Sequence, residues 1–331
     1  NNKTFIKINK CYNGISNPEI KKQLFKKVLN PVFSIDDSKV SIAENIEQYQ
    51  LMEYFLCLSS QFMAGNIQTK RWMNFQGLRD SGKGVLGDLF NNAFGKYISA
   101  TNSSNFKFKS NDGDSQKALS WLIDYEFTRI ALVSEVDIKD QDMKFNGGMI
   151  KKFASGGDLI SARKNFKDEY NFKIQAGLII MCNDMPVIQP TDANETCDEF
   201  IMKSKFIDEG FCEKKLKGYS YFNKDPSIKD EFVNREDVIN EFLILILEYY
   251  NKDIKYPVKI KKQKNLEMED DNDMDILFNL YEITDNEEDK ICNIDLDDDR
   301  KKLKLPFSSR KYKCLLKSEG AKDFVSNGKR G

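Results

Sequence analysis

The residues whose types and spacing could do chemistry begin with Gly77-Leu78-Arg79-Asp80-Ser81-Gly82-Lys83-Gly84. The pattern Gly-x-x-x-x-Gly-Lys is that of a loop that holds phosphate. Its glycines let the backbone turn N–H groups toward phosphate oxygens, and the helix that follows adds partial positive charge at its first turn. Lys83 would neutralise the β- and γ-phosphates of a nucleoside triphosphate. The expected contacts are Gly77, Asp80, Ser81, Gly82, Lys83, Gly84 and Val85, and the expected ligands are ATP and Mg2+. A glycine-rich turn ahead of a helix is the competing reading. Such loops ordinarily end in Ser or Thr, whose hydroxyl binds Mg2+. Gly84 has no side chain, which leaves Ser81 or a water to take that place.

Two further strand ends carry polar groups. Arg129-Ile-Ala-Leu-Val-Ser134-Glu135 reads as a buried strand delivering a carboxylate to its C-terminal edge, where ligands bind in open α/β sheets. Glu135 there would take a proton from an attacking water. Ser134 stands where many ATPases place an Asp for the metal, so Ser134 and Glu135 are the residues expected at Mg2+. An exposed strand-end carboxylate is the plainer reading of Glu135 alone. Ile179-Ile-Met-Cys-Asn183 repeats the pattern with an amide, which can sense the γ-phosphate and position water because it both donates and accepts. Asp184 and Pro186 nearby also suit an ordinary turn. Lys83, Glu135 and Asn183 are thus the expected catalytic set.

These groups need a sheet edge to hold them. Asn17 to Leu29 and Ala43 to Met63 carry apolar residues at helical spacing. Arg71 to Gln76 reads as a strand, and Val85 to Phe94 as an amphipathic helix closed by Gly95. Phe127 to Val133, Tyr170 to Ile174 and Leu178 to Cys182 are β-prone, and Glu236 to Tyr250 is an amphipathic helix. Such alternation predicts an α/β core with a mostly parallel sheet. A basic tract at 255–264 and an acidic tract at 267–275 read as a linker, and 276–331 as a small α/β or winged-helix unit.

Composition narrows the chemistry. The 331 residues exceed what one compact core usually needs, so smaller flanking units are expected. There is no histidine, which removes Ser-His triads and His-containing zinc sites. The seven cysteines form no Cys-x-x-Cys pair, so zinc is not expected, and their odd number and wide spacing suit reduced thiols. The net charge of −1 means that a nucleic acid would have to bind at a local patch. No apolar run approaches the roughly 20 residues of a membrane span. The chain starts without Met and ends at Gly-Lys-Arg-Gly, as a fragment of something longer would.

The ordered motifs resemble the superfamily-3 helicases, most closely the primase-helicases of large DNA viruses, including the poxvirus and giant-virus types. The strongest likeness is Lys152-Phe-Ala-Ser-Gly156-Gly157-Asp158-Leu-Ile-Ser-Ala-Arg163, which matches a Lys-x-x-x-Gly-Gly-Asp-x-x-x-x-Arg signature. Phe172, Asn183-Asp-Met-Pro186 and Asp225-Pro-Ser-Ile-Lys229-Asp230 also fit, so the likeness covers roughly residues 40–255. It implies an AAA+-like P-loop ATPase, a ring that is usually a hexamer, with ATP between subunits and translocation on one DNA strand. It implies a β-hairpin reaching into the channel, here Leu159 to Met181 with its turn near Lys167-Asp168-Glu169. Lys152, Arg163, Lys164 and Lys167 would then contact DNA phosphates, with Phe166 and Tyr170 bracing the turn. Family members often place Arg after the sensor to serve a neighbour's site. Asp192 to Phe206 has none, which leaves Lys203 and Lys205 as the trans-acting candidates.

The expected organisation is an N-terminal helical collar or oligomerisation segment (1–66), a helicase ATPase core (67–250), a charged linker (251–275) and a small C-terminal domain (276–331). The expected function is an ATP-dependent replicative DNA helicase motor within a larger primase-helicase. Single-stranded or forked DNA, further copies of the chain, and a primase domain or other replication proteins are its expected partners. The resemblance places it at a viral replication site in the host cytoplasm or in the nucleus. Two other readings stay open: a ring that binds ATP, hydrolyses it weakly and loads partners on DNA, and a P-loop phosphotransferase.

Overall fold

A computed structural model describes residues 14–36, 42–66, 70–107, 120–133, 144–155, 158–163, 170–208, 216–250, 252–257, 260, 325–326 and 329–330. The chain forms two compact units, Asn1–Lys261 and Lys262–Gly331. In the second unit the described residues are an antiparallel pair, Val325–Ser326 with Lys329–Arg330. The remainder of 276–331, expected as a small α/β or winged-helix unit, lies outside the described residues.

The first unit is built on a five-stranded sheet in the order β2-β3-β7-β1-β9. Its strands are β1 (Trp72–Gly77), β2 (Ile98–Thr101), β3 (Ile130–Val133), β7 (Gly177–Cys182) and β9 (Cys197–Met202). Every pairing is parallel, as the strand-helix alternation predicts. All six residues of β7 are buried, the mark of a strand covered on both faces. Side chains alternate between two cores. Met73, Phe75, Ile179, Met181, Phe200 and Met202 face one. Trp72, Leu178, Ile180, Cys182 and Cys197 face the other.

Helices cover the first face. α1 (Pro18–Leu24) continues through a π-helical stretch (Phe25–Leu29) into a further turn (Asn30–Val32). α2 (Ile42–Ala64) buries Leu51, Phe55, Leu58 and Phe62, one stripe at three- and four-residue spacing. α3 is Lys83–Phe94 and the later helix, here called α6, is Glu236–Glu248. The helical segment expected at 1–66 thus shares one core with the sheet. Glu241 of α6, fully buried, accepts from Ser16 Oγ (2.7 Å) and Asn17 N (2.6 Å) and ties the start of α1 to α6. A Cβ on Gly177 would lie 2.0 Å from the Phe62 ring, so β7 can pass under α2 only as glycine there.

The second face carries α4 (Gly147–Ala154) and two small strand pairs. β4 (Lys144–Asn146) runs parallel to β8 (Val187–Gln189). β5 (Ile160–Ala162) runs antiparallel to β6 (Tyr170–Phe172). After β9 come β10 (Ser204–Ile207), paired in parallel with β11 (Ser220–Asn223), and the short α5 (Pro226–Asp230). Among the described residues no helix is long and apolar enough to cross a membrane.

In the segment expected as a linker from 251, Lys252 and Asp253 are exposed, while Pro257 and Ile260 are buried and Ile254 and Tyr256 pack against the first core. Tyr256 Oη donates to Asp198 Oδ1 (2.8 Å). Asp198, also fully buried, receives Arg71 Nη1 (2.6 Å) and Tyr54 Oη (2.8 Å) as well. This cluster closes the end of the sheet where β1 and β9 begin.

Candidate functional site

β1 ends at Gly77, and the chain turns through 78–82 before α3 starts at Lys83. Asp80 (φ 61°) and Gly82 (φ 88°) take left-handed angles that make this turn. Asp tolerates that region and glycine enters it freely. At Gly82 space adds a second demand, because a Cβ would lie 2.7 Å from Val32 Cγ2. At Gly77 a Cβ would lie 2.9 Å from Met202 Cβ and from Ser81 Oγ. Gly84 differs: an added Cβ meets nothing within 4 Å.

Lys83 folds its side chain back over the loop. The ammonium donates to Gly77 O (2.5 Å), Leu78 O (3.0 Å), Ser81 Oγ (3.1 Å) and Asn183 Oδ1 (3.3 Å). It has three protons for these four neutral acceptors. Burial holds its pKa below the usual lysine range, opposed by nearby Cys182 and Asp80. Phosphate oxygens would offer this desolvated cation anionic acceptors in place of neutral ones.

Asn183 follows directly on β7, which pairs with β1 so that Gln76 stands opposite Cys182. The spacing of two parallel strands therefore delivers the amide to the Lys83 ammonium. Beneath it, Cys182 donates through Sγ to Asn74 Oδ1 (3.1 Å), and burial pushes this thiol up to about 12. β3 stands one strand further out, about 10 Å from β1 at the usual strand spacing. It ends at Val133. Ser134 and Glu135, expected at the metal and as the base, lie outside the described residues.

A cavity of about 720 Å3 opens beside the loop, lined by Ser81, Lys83, Val32, Phe206, Phe222 and Ile228, with Lys26, Lys27, Lys224 and Lys229 also in its lining. Asp80, Gly82, Gly84 and Val85 line it too. The loop, Lys83 and Asn183 thus come together. The apolar wall was not foreseen. Its signal was Phe206, which stands in the segment read for its lysines. Phe206 N donates to Asp80 O (2.8 Å), so β10 is fastened to the loop of its own chain. That places Lys203 and Lys205, the candidates for a neighbour's site, on a segment beside this chain's loop.

Elsewhere the expected residues separate. Lys152 is exposed on the last turn of α4, while Lys151 beside it pairs with Asp192. The expected hairpin has arms at β5 and β6, shorter than Leu159 to Met181, because Gly177–Cys182 belongs to the central sheet. Arg163 is exposed just after β5, and Lys164 and Lys167 lie outside the described residues, as do Gly156 and Gly157. Among the described residues no three Cys, Asp or Glu side chains cluster as metal ligands do. Mg2+ is usually held through phosphates and water with one or two protein oxygens. Ser81 carries a hydroxyl on the described loop, which is buried and accepts from the Lys83 ammonium, and Gly84 supplies none.

Known proteins share this region. Residues 75–196, from within β1 to the residue before β9, match a profile described as "Family of unknown function (DUF5906)". "Putative helicase V13" of Sputnik virophage is 27% identical over 234 residues, which is 69% of this chain and 29% of that protein. "Putative helicase L207/L206" of Acanthamoeba polyphaga mimivirus is 26% identical over 208 residues, 61% of this chain and 21% of that protein. The chain thus spans under a third of these relatives' length. Among solved structures, the apo NrS-1 C-terminal region (305–718) aligns with 73% of this chain and 48% of its own at 16% identity and a TM-score of 0.46. The resemblance to helicases of large DNA viruses that the ordered motifs carry is borne out, since this chain is a relative of proteins so named in a virophage and a giant virus.

Proposed function

We propose that this chain is the ATP-hydrolysing motor of a DNA helicase of the superfamily-3, AAA+-like kind. The observation that carries the reading is the convergence on Lys83: the glycine loop after β1 and the amide after β7 meet at one ammonium, beside a cavity able to hold a nucleotide. The names of the viral relatives supply the helicase.

The reaction follows from the groups in place. Lys83 exchanges its carbonyl partners for β- and γ-phosphate oxygens, and the N–H groups at the start of α3 face the same charge. Asn183, released from Lys83, can hold the γ-phosphate or the attacking water. Glu135 would take that water's proton. Bound Mg2+ would supply charge neutralisation of the phosphates, with Ser81, Ser134 and Glu135 the residues available to hold it. Assembly into a hexameric ring would bring a second chain to each site, with Lys203 and Lys205 the residues to test for trans action. Lys152, Arg163, Lys164 and Lys167 would hold strand phosphates, so binding should be sequence-independent and fall steeply with salt. A primase domain belongs to the larger protein that this reading implies, acting at a viral replication site.

One observation favours a second reading, a ring that binds ATP and hydrolyses it weakly. Gly84 leaves the metal without its usual hydroxyl. DNA-stimulated ATPase measurements separate the two. Lys83→Ala should reduce turnover at least 100-fold and weaken ATP binding, while Glu135→Gln should keep binding and lose hydrolysis, because an amide accepts no proton. Wild-type turnover in Lys83→Ala would sink the assignment. ATP binding without turnover in the wild type would select the scaffold.

A further inference from the structure

The apolar end of the cavity has a construction that phosphate binding does not require. Its walls come from segments far apart in the chain: Val32 after the π-helical stretch, Phe206 on β10, and Phe222 on β11 with Ile228 on α5. The Phe206 and Phe222 rings stand 5.6 Å apart at 33°, and both are half-buried and line the cavity.

The walls are fixed to one another and to the loop. Ser204 Oγ reaches Pro31 O (2.5 Å) and Val32 O (3.0 Å), and it lies 2.8 Å from Ser34 Oγ. β10 is thereby locked to the segment that carries Val32. The bond from Phe206 N to Asp80 O locks β10 to the phosphate loop, and Gly82 lies so close that a Cβ there would sit 3.1 Å from the Phe206 ring. A ligand reaching from Lys83 into this space meets the loop and, packed beside it, the Phe206 ring with Phe222 next to it, in a lining that also carries Lys26, Lys27, Lys224 and Lys229. The cavity volume lies within the range of small-ligand sites.

We propose that Phe206 and Phe222, with Val32 packed against Gly82 of the loop, form the nucleobase subsite, in which the flat heteroaromatic ring of the nucleotide stacks while its phosphates occupy the glycine loop. The proposal rests on the phosphate-loop reading and adds to it the part of the ligand that the loop does not touch. It also gives the N-terminal helical segment a role in nucleotide binding within its own chain.

The test is calorimetric binding of ATP and of inorganic tripolyphosphate to the full 331-residue chain at equal Mg2+. Tripolyphosphate keeps the charge and lacks the base. The wild type should bind ATP about tenfold or more tightly than tripolyphosphate, the size expected of base–aromatic stacking. Phe206→Ala should remove about tenfold from ATP binding and leave tripolyphosphate within about twofold. Phe206→Leu and Phe222→Leu keep apolar volume while removing the flat ring, and should shift the same ratio if the alanine variant is poorly folded. If Lys83→Ala weakens both ligands but no aromatic variant changes their ratio, the base lies elsewhere and the proposal is overturned. If Lys83→Ala leaves both ligands unaffected, the phosphate loop itself is misassigned and the subsite falls with it.

Discussion

The two ends of the central sheet treat buried charge in opposite ways. Where β1 and β9 begin, Asp198 is fully buried and receives an arginine and two tyrosines, each at 2.6–2.8 Å. Arg71 also lies over the Tyr256 ring, 4.6 Å from its centroid. Burial, with Asp198 beside it, pushes the Tyr54 hydroxyl well above its usual range, so it stays a donor. At the other end Lys83 is desolvated, shares three protons among four neutral oxygens, and faces an open cavity. The first arrangement is complete and holds four segments together. The second is satisfied only by contacts that a stronger acceptor would replace. Burial of charge therefore does not by itself mark a site. The marks here are the neutral partners and the space beside them.

The largest effect should come from breaking the closed end. Asp198→Ala leaves the Arg71 guanidinium and two tyrosine hydroxyls without their acceptor. Removing one partner of a buried ion pair costs about 3–5 kcal/mol, and Arg71 is partly exposed, so the lower figure is expected. Urea denaturation should show this loss. ATP affinity, measured where the variant is folded, should stay within about twofold, because the cluster is at the far end of the strands. A large fall in affinity with little loss of stability would reverse the roles assigned to the two ends.

Gly177→Ala acts on the same end through packing alone. Its Cβ would enter the Phe62 ring, so α2 or β7 must shift. Overpacking of this kind costs about 1–3 kcal/mol. The expected outcome is a lower denaturation midpoint with unchanged nucleotide binding. A stability unchanged from wild type would mean that α2 does not press on β7 as described.

The loop end was more legible in the sequence than the closed end. Gly77 to Gly84 carries its own geometry, since glycine spacing and a following helix state what the backbone must do. β7 was legible because Leu178 to Cys182 is a continuous apolar run ending in one amide. β9 was not, because Asp198 and Glu199 make Cys197–Met202 look like a loop, and only Arg71, Tyr54 and Tyr256 converging from elsewhere in the chain make a buried aspartate tolerable there. β2, with Ser99 and Thr101, lacked an apolar run for the same reason. The aromatic wall was hidden by distance: Val32, Phe206 and Phe222 share no motif, and the Ser204 hydrogen bonds and the β10–β11 pairing bring their segments together.

The smallest expected effect sharpens the open end. Gly84 lies in the first turn of α3, where a Ser or Thr hydroxyl would face the phosphates, and an added Cβ meets nothing within 4 Å. Gly84→Thr should therefore be accommodated without displacing the loop. It should also lose less backbone entropy on folding than glycine does. If Mg2+ reaches this position, the new hydroxyl adds one ligand oxygen. A hydrogen-bond-sized gain of about 1 kcal/mol corresponds to roughly fivefold tighter Mg-ATP. ATP binding in EDTA should not change, which separates a metal effect from a general one. Turnover should rise with Mg-ATP affinity if the missing hydroxyl is what limits hydrolysis. Equal gains with and without metal would show that the substitution acts on the helix instead. No change in either, with the variant folded, would mean that the protein places its metal through Ser81 or the strand ends and that Gly84 costs the site nothing.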